Sequence, residues 1–156
     1  MGGPIPAGWA SVWAPSVARP RRGDYLLYFT ALAARRHAQC IGVAHSGSPI
    51  GPFHSVSPHP LICHRGDFDA IDPKPFSEHG KHDLVYSAGS RGNDTIWLQG
   101  VNGEGTRTIG PRRPMVRADR PDEAHIVEAP TLIRHGDRYV LFYSGNAYNS
   151  GAYFIN

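Results

Sequence analysis

The sequence lacks long apolar segments and has few runs that favour helices. No stretch approaches the roughly 18 consecutive apolar residues of a membrane-spanning helix, so we predict no such span. In place of helix-forming runs, the 156 residues include 18 glycines and 14 prolines, a composition that favours strands joined by turns. We therefore expect one globular, mainly β domain with enough chain to bury a core.

Cysteine is also scarce. Cys40 and Cys63 are the two in the chain, and their spacing fits neither a zinc knuckle nor a thioredoxin motif. Thiols in strand-like segments are more often packed core residues, so we expect unpaired cysteines, with a disulfide as the alternative. The nine histidines show no paired metal-binding spacing, and we predict neither a metal nor another cofactor.

Positive charge is present without the pattern of a nucleic-acid surface. The formal net charge is +3, and the basic residues are scattered except for short clusters at 19–22 and 112–117. These clusters lack the interleaved aromatic residues that stacking on bases requires. We therefore interpret them as solvated turns and predict no nucleic-acid partner.

A repeat of 57 to 58 residues is the most informative feature of the sequence. Each copy contains a proline, a polar turn with glycine and a hydrophobic segment with tyrosine. The copies are WAPSVARPRRGDYLLYFTA, IDPKPFSEHGKHDLVYSAG and EAPTLIRHGDRYVLFYSGN. In each copy the proline and the tyrosine are 13 residues apart: Pro15 and Tyr28, Pro73 and Tyr86, and Pro130 and Tyr143. This pattern predicts a β-hairpin in each copy.

Further strands complete the predicted unit. Strand-like segments follow each hairpin at 40–46, 95–101 and 152–156, and turn-rich stretches then lead into a fourth strand. Four antiparallel strands in a unit of this length are typical of a β-propeller blade. The alternative, a complete small β-sandwich, does not explain the spacing.

The three repeats predict only part of a propeller, because a ring must close to cover the faces of its blades. We expect residues 1–156 to form one partial propeller domain of about two and a half blades, with repeats that start near residues 13, 71 and 128. The first fifteen residues lack the pattern of a signal peptide. In a fragment such a signal would lie elsewhere, so extracellular and cytoplasmic locations both stay open.

Two carboxylates lie beside the repeated prolines. Asp72 precedes Pro73, and Glu128 lies between the apolar residues Val127 and Ala129. Because the first strands of successive blades line the central channel, we expect both carboxylates at one mouth of it. Poor hydration and a second carboxylate both raise a carboxyl pKa, which makes Glu128 a candidate general acid. Asp72 capping a turn is the alternative interpretation.

The motifs WAPSV, CIGVA with SPIGPF, IDPKPF and VEAPTLIRHGDRYVLFYS resemble glycoside hydrolase family 43 over nearly the whole chain. This family comprises five-bladed propellers that include arabinofuranosidases, xylosidases and arabinanases. The resemblance implies that Glu128 is the general acid and that Asp72 tunes its pKa and orients it. It places the catalytic base in an Asp-Pro pair one repeat before WAPSV, and Asp24, Asp67 and Asp69 are not substitutes.

The predicted function is therefore an inverting glycosidase segment that acts on arabinose- or xylose-type linkages in plant polysaccharides. Its partner is carbohydrate, and the chain alone is expected to be inactive without the base. Trp13, Phe29 and Asn146 are candidate substrate-binding residues, with core packing or turn formation as the alternatives. A noncatalytic propeller that binds carbohydrate or protein and a truncated product without function are the other hypotheses.

Overall fold

The computed structural model describes residues 9–21, 24–33, 37–90 and 93–156, which form three antiparallel sheets. The first blade contains β1 (Trp9–Arg21), β2 (Asp24–Ala33), β3 (Ala38–Ser46) and β4 (His54–Ser55). The second blade contains β5 (Asp69–Glu78), β6 (Lys81–Ser90), β7 (Asn93–Val101) and β8 (Thr108–Arg117). The third sheet contains β9 (Val127–His135), β10 (Arg138–Gly145) and β11 (Phe154–Ile155).

Helix is confined to a single short 3-10 turn at Pro121–Glu123 in the part of the chain that the structure describes. No helix there has the length and apolar character needed to cross a membrane. In all three sheets each strand pairs with the next one along the chain, as in an antiparallel meander. The prediction of an all-β chain with strand-turn-strand repeats is confirmed.

The first strand of each sheet carries a β-bulge at the repeated proline. The residue before that proline has a left-handed φ in each case: 46° at Ala14, 55° at Asp72 and 50° at Ala129. The pairing with the second strand shifts at this point, so that two residues of the first strand oppose one of the second. Bulges of this kind bend a strand and change the direction of its side chains. The same bulge therefore recurs in every sheet, next to the candidate site residues.

Apolar residues at alternate strand positions fill the spaces between the sheets. The cluster between the first and second blades comprises Leu26, Tyr28, Ile41, Val43, Ile62, Ala70, Leu84, Tyr86, Ala88 and Val101. The cluster between the second blade and the third sheet comprises Val85, Ile96, Ala118, Val127 and Tyr143. Each sheet is thus packed face to face on the next one.

The strand pairing corrects one detail of the repeat. The residue after the repeated proline pairs with Tyr28 in the first blade, but with Val85 in the second and Phe142 in the third. Tyr28 is therefore equivalent to Val85 and not to Tyr86. The cause is one additional residue in the first hairpin, which the constant proline-to-tyrosine separation conceals. Phe29 occupies the position that corresponds to Tyr86.

The two cysteines form a disulfide, contrary to the expectation of separate thiols. Cys40 on β3 is bonded to Cys63, and their Cα atoms lie 5.0 Å apart. Backbone hydrogen bonds of 2.9 and 3.2 Å between Ile41 and Ile62 hold the segment before Cys63 against β3. Tertiary pairing of the chain after β4 with β3 brings the thiols together, which spacing along the sequence did not show.

Candidate active site

Asp72 and Glu128 lie next to each other, on the first strands of the second and third sheets. The carboxylate Oδ2 of Asp72 accepts a hydrogen bond of 2.9 Å from the backbone N–H of Ala129. Ala129 directly follows Glu128, so the bond joins the bulge of the second blade to the bulge of the third sheet. The convergence of these carboxylates, which the repeat predicted, is present in the structure.

The bulge at Asp72 is itself held from the first blade. The backbone N–H of Asp72 donates a hydrogen bond of 3.1 Å to Oγ1 of Thr30, whose side chain is fully buried. A non-glycine residue with positive φ costs about 1 to 3 kcal/mol and persists only where its surroundings hold it. The hydrogen bonds to Thr30 and Ala129 fix Asp72 in this conformation from both sides.

The environment of Glu128 suits a carboxyl that holds its proton. Burial raises the pKa of the Glu128 carboxyl, and the negative charges of Asp72 and Asp69 raise it further. A hydrogen bond of 3.0 Å from the hydroxyl of Tyr153 to Oε1 of Glu128 acts in the opposite direction. Desolvation and like charge are the two effects that shift a carboxyl toward its protonated form. Glu128 therefore combines partial burial with access from solvent.

The Asp72 carboxyl has a raised pKa as well. Burial is the main cause, and the hydrogen bond from the Ala129 amide lowers the pKa and so opposes it. A backbone donor to a carboxylate favours the charged form. Asp72 can therefore act on Glu128 in two ways, through its charge and through its hydrogen bond to the backbone of Ala129, the residue after Glu128.

Two further carboxylates, Asp69 and Asp94, belong to the same cluster and were not predicted. Both flank Gly89 in the second blade, since Asp69 pairs with Gly89 across β5 and β6 and Asp94 pairs with it across β6 and β7. A Cβ atom on Gly89 would lie 2.6 Å from Oδ1 of Asp94. The glycine therefore leaves the space that the Asp94 carboxylate occupies.

Burial raises the pKa of Asp94 to about 7, with the charges of Asp69 and Glu128 as the next causes. Burial also raises the pKa of Asp69, to which Asp67 and Asp72 contribute. No period-two pattern or motif marks these residues in the sequence, because their relation to Glu128 arises only when β5 and β7 pack against β9. The sequence excludes Asp69 only as a substitute for the catalytic base, because Asp69 precedes the repeated position.

The predicted substrate-binding residues lie in three different environments. Trp13 pairs with Thr30 just as Glu128 pairs with Ser144, and 49% of Trp13 is exposed. Phe29 is only 8% exposed and its ring covers Gly42, where a Cβ atom would lie 2.5 Å from the ring. The location of Trp13 suits contact with a ligand, whereas that of Phe29 suits packing.

Asn146 is held within the loop between β10 and β11. Its Nδ2 donates to the carbonyl of Asp122 at 2.8 Å, and its Oδ1 accepts from the amide of Ala147 at 2.8 Å and from Oγ of Ser150 at 3.2 Å. These bonds and a φ of 73° are typical of turn chemistry. Its polar atoms organise the loop that carries Tyr153.

The paired carboxyl groups of the site can supply acid chemistry. Within the described ranges, no group of three or more His, Cys, Asp or Glu side chains has an arrangement that would hold a metal ion. A partly buried carboxyl with a second carboxyl beside it is a recurrent arrangement in proton donation to a departing oxygen. The geometry therefore supports a role in breaking an acetal or related bond.

Several solved structures are similar to this chain. The chain is similar to a solved thermostable family-43 glycoside hydrolase, with a TM-score of 0.82 and 25% identity over 96% of this chain and 51% of that one. It shares its fold with the α-L-arabinofuranosidase from Lactobacillus brevis, with a TM-score of 0.79 and 17% identity over 99% of this chain and 51% of that one. The endo-arabinase from Bacteroides thetaiotaomicron gives a TM-score of 0.75 and 20% identity over 92% of this chain and 54% of that one.

The chain therefore spans about half the length of these solved proteins. No curated protein matches it. The structural likeness confirms the predicted β-propeller fragment, with two four-stranded blades and three strands of another. Residues 4–154 match the glycosyl hydrolases family 43. With a family match over almost its full length and a fold that agrees, this chain belongs to glycosyl hydrolases family 43.

Proposed function

We propose that the chain supplies the acid part of a glycosidase site, with Glu128 as general acid and Asp72 as the residue that raises its pKa and orients it. The observation that carries the proposal is the 2.9 Å hydrogen bond from the Ala129 amide to Asp72. It fixes the backbone beside Glu128 and keeps a second carboxylate close. Both effects favour a correctly directed, protonated Glu128.

The proposed reaction is hydrolysis with inversion. Glu128 gives its proton to the glycosidic oxygen as the bond to the anomeric carbon breaks, and a separate carboxylate removes a proton from the attacking water. The departing alcohol leaves with the proton from Glu128, and the water-derived hydroxyl remains on the sugar. General acid catalysis and general base catalysis each raise the rate by a factor of about 10² to 10⁴.

The proposed substrates are arabinose- or xylose-containing plant polysaccharides and their oligosaccharides. Support comes from two similar structures, an arabinofuranosidase and an endo-arabinase. A family neighbour described as an endo-1,4-β-xylanase extends the class to xylan. In this proposal exposed Trp13 forms part of the sugar-binding wall, and Phe29 and Asn146 support it through packing and loop structure.

The catalytic base is proposed to lie outside these 156 residues. Asp72-Pro73 is the one Asp-Pro pair in the sequence, and the equivalent place in the first repeat is Ala14-Pro15. Alanine has no group that accepts a proton from water. We therefore propose that the 156-residue chain by itself does not turn over substrate.

The first experiment measures release of 4-nitrophenol from aryl α-L-arabinofuranosides and β-D-xylosides by the purified chain. The expected rate equals that of the E128Q variant. Turnover that depends on Glu128 would show that a base is present among these residues and would overturn the proposed division of the site.

The second experiment tests the acid directly. If the reading frame upstream encodes an Asp-Pro pair about 58 residues before Trp13, the protein from that longer frame should hydrolyse these substrates, and E128Q should lower kcat by about 10² to 10⁴. Sugar binding without any turnover in the longer protein would instead support a noncatalytic carbohydrate-binding propeller.

A further inference from the structure

Tyr153 contacts the proposed acid from the loop between β10 and β11. Its hydroxyl donates a hydrogen bond of 3.0 Å to Oε1 of Glu128. Ser144 is the cross-strand partner of Glu128 on β10. The Tyr153 hydroxyl therefore joins the loop before β11 to the proposed acid.

Ser144 occupies a position that carries a hydroxyl group in all three sheets. Thr30 and Ser87 are equivalent to Ser144 by strand pairing, and all three are buried. Thr30 accepts a hydrogen bond from the Asp72 amide at 3.1 Å, and Ser87 donates one to the Val127 carbonyl at 2.5 Å. Hydroxyls at this position thus bond the first strand of the following sheet. In the third sheet Ser144 pairs with Glu128, and Tyr153 from the loop bonds that carboxylate.

The hydrogen bond from Tyr153 distinguishes the two oxygens of Glu128. Because Oε1 accepts the phenol O–H, a proton on the carboxyl group is directed to Oε2. When that proton leaves, the bond from Tyr153 becomes a charge-assisted one, and such bonds are about twice as strong as neutral ones. An interaction that strengthens as the proton departs favours the transition state over the ground state.

We propose that Tyr153 is a positioning residue for proton donation by Glu128. It holds Oε1, leaves Oε2 as the oxygen that carries the proton, and stabilises the carboxylate formed when the proton is transferred. This inference rests on the proposed role of Glu128 as general acid. The loop anchored by Asn146 then contributes to catalysis by presenting the phenol.

The test is a measurement of the Glu128 pKa in the 156-residue chain, which needs no turnover. The chain has four glutamates, so carboxyl ¹³C labelling of glutamate gives few signals, and the signal lost in E128Q identifies Glu128. The charged groups that face Glu128 are Asp72, Asp69 and Asp94. They stay unchanged in Y153F, so that variant isolates the phenol.

In Y153F the pKa of Glu128 should rise by about 1 unit, because a hydrogen bond to a charged group is lost. Y148F is the matched control, since Tyr148 lies in the same loop and is 79% exposed. It should leave the Glu128 titration unchanged. An unaltered Glu128 pKa in folded Y153F, or an equal rise in Y148F, overturns the proposal.

A reciprocal measurement covers the case in which Y153F does not fold. Removal of the Glu128 charge by E128Q should lower the pKa of the Tyr153 phenol, followed through its ¹³Cζ signal. No change there would show that the two groups are not coupled. These results are separate from the test of the acid role: if E128Q leaves turnover of the longer protein intact, Glu128 is not the acid, whatever the coupling.

Discussion

The carboxylate of Asp72 and the backbone amide of Ala129 are joined by a hydrogen bond of 2.9 Å that links two neighbouring sheets. Both residues have positive φ and both precede a proline of the repeat. The bond stabilises two unusual backbone conformations at once. The bond also fixes the backbone of Glu128, which lies between the buried residue Val127 and the hydrogen-bonded residue Ala129.

Replacement of Asp72 should separate its structural role from its electrostatic one. D72N keeps an oxygen that accepts the Ala129 amide, and asparagine tolerates positive φ, so the free energy of unfolding should change by less than about 0.5 kcal/mol. The pKa of Glu128 should fall, because the negative charge that raises it is gone. D72A removes the acceptor as well and should cost about 1 to 3 kcal/mol. Urea unfolding and carboxyl ¹³C titration measure these effects, and equal stability losses in both variants would contradict the assignment.

Asp94 should make the folded chain less stable as pH rises, whereas an ion-paired carboxylate makes a protein more stable as pH rises. Its pKa rises from 3.8 to about 7 on folding, so between these values the folded chain binds more protons than the unfolded chain. Its contribution to stability is therefore present at low pH and is lost as pH rises through about 7.

In urea unfolding, the advantage of D94N over the wild-type chain should therefore be larger at pH 7.5 than at pH 4.5. The matched control is D119N, at an exposed aspartate, which should show no such difference between the two pH values. The same advantage for D94N at both pH values would show that Asp94 does not titrate in this range.

The Cys40–Cys63 disulfide should contribute substantially to stability. It closes a loop with a sequence separation of 23 residues, for which the chain-entropy model gives about 3 kcal/mol. Reduction with dithiothreitol should lower the urea midpoint accordingly, and the C40A/C63A double variant should be less stable than the oxidised chain and insensitive to the reductant. A wild-type midpoint that does not respond to complete reduction would contradict this prediction.

Replacement of a side chain by alanine should cost different amounts of stability at equivalent positions of the second blade and the third sheet. Val85 is fully buried beneath the third sheet, whereas the equivalent Phe142 is 42% exposed. V85A should cost about 2 kcal/mol, because it leaves a cavity. F142A removes a larger side chain but should cost less than V85A, since no sheet covers it here. Urea unfolding of the two variants compares these costs, and a larger loss in F142A would indicate that its face is packed in solution.

The sequence alone determined the architecture, because the hairpin and bulge at each repeat depend on local chemistry. Proline, glycine turns and alternating apolar residues define each strand within some twenty positions. The recurrence of the pattern then predicted that the first strands lie side by side, and so that Asp72 and Glu128 come close. The constant proline-to-tyrosine spacing gave one wrong equivalence, because the extra residue in the first hairpin shifts Tyr28 relative to Tyr86.

Only the tertiary structure decided which other groups surround Glu128. Asp94 reaches it from β7 and Tyr153 from the loop before β11, and neither belongs to a motif. The disulfide likewise depends on the segment after β4 folding back on β3. Contacts of this kind join residues far apart in the chain, and their geometry follows from how whole sheets pack. The physical reason is that local patterns define strands, whereas hydrogen bonds and pKa values at the site depend on distances between strands of different sheets.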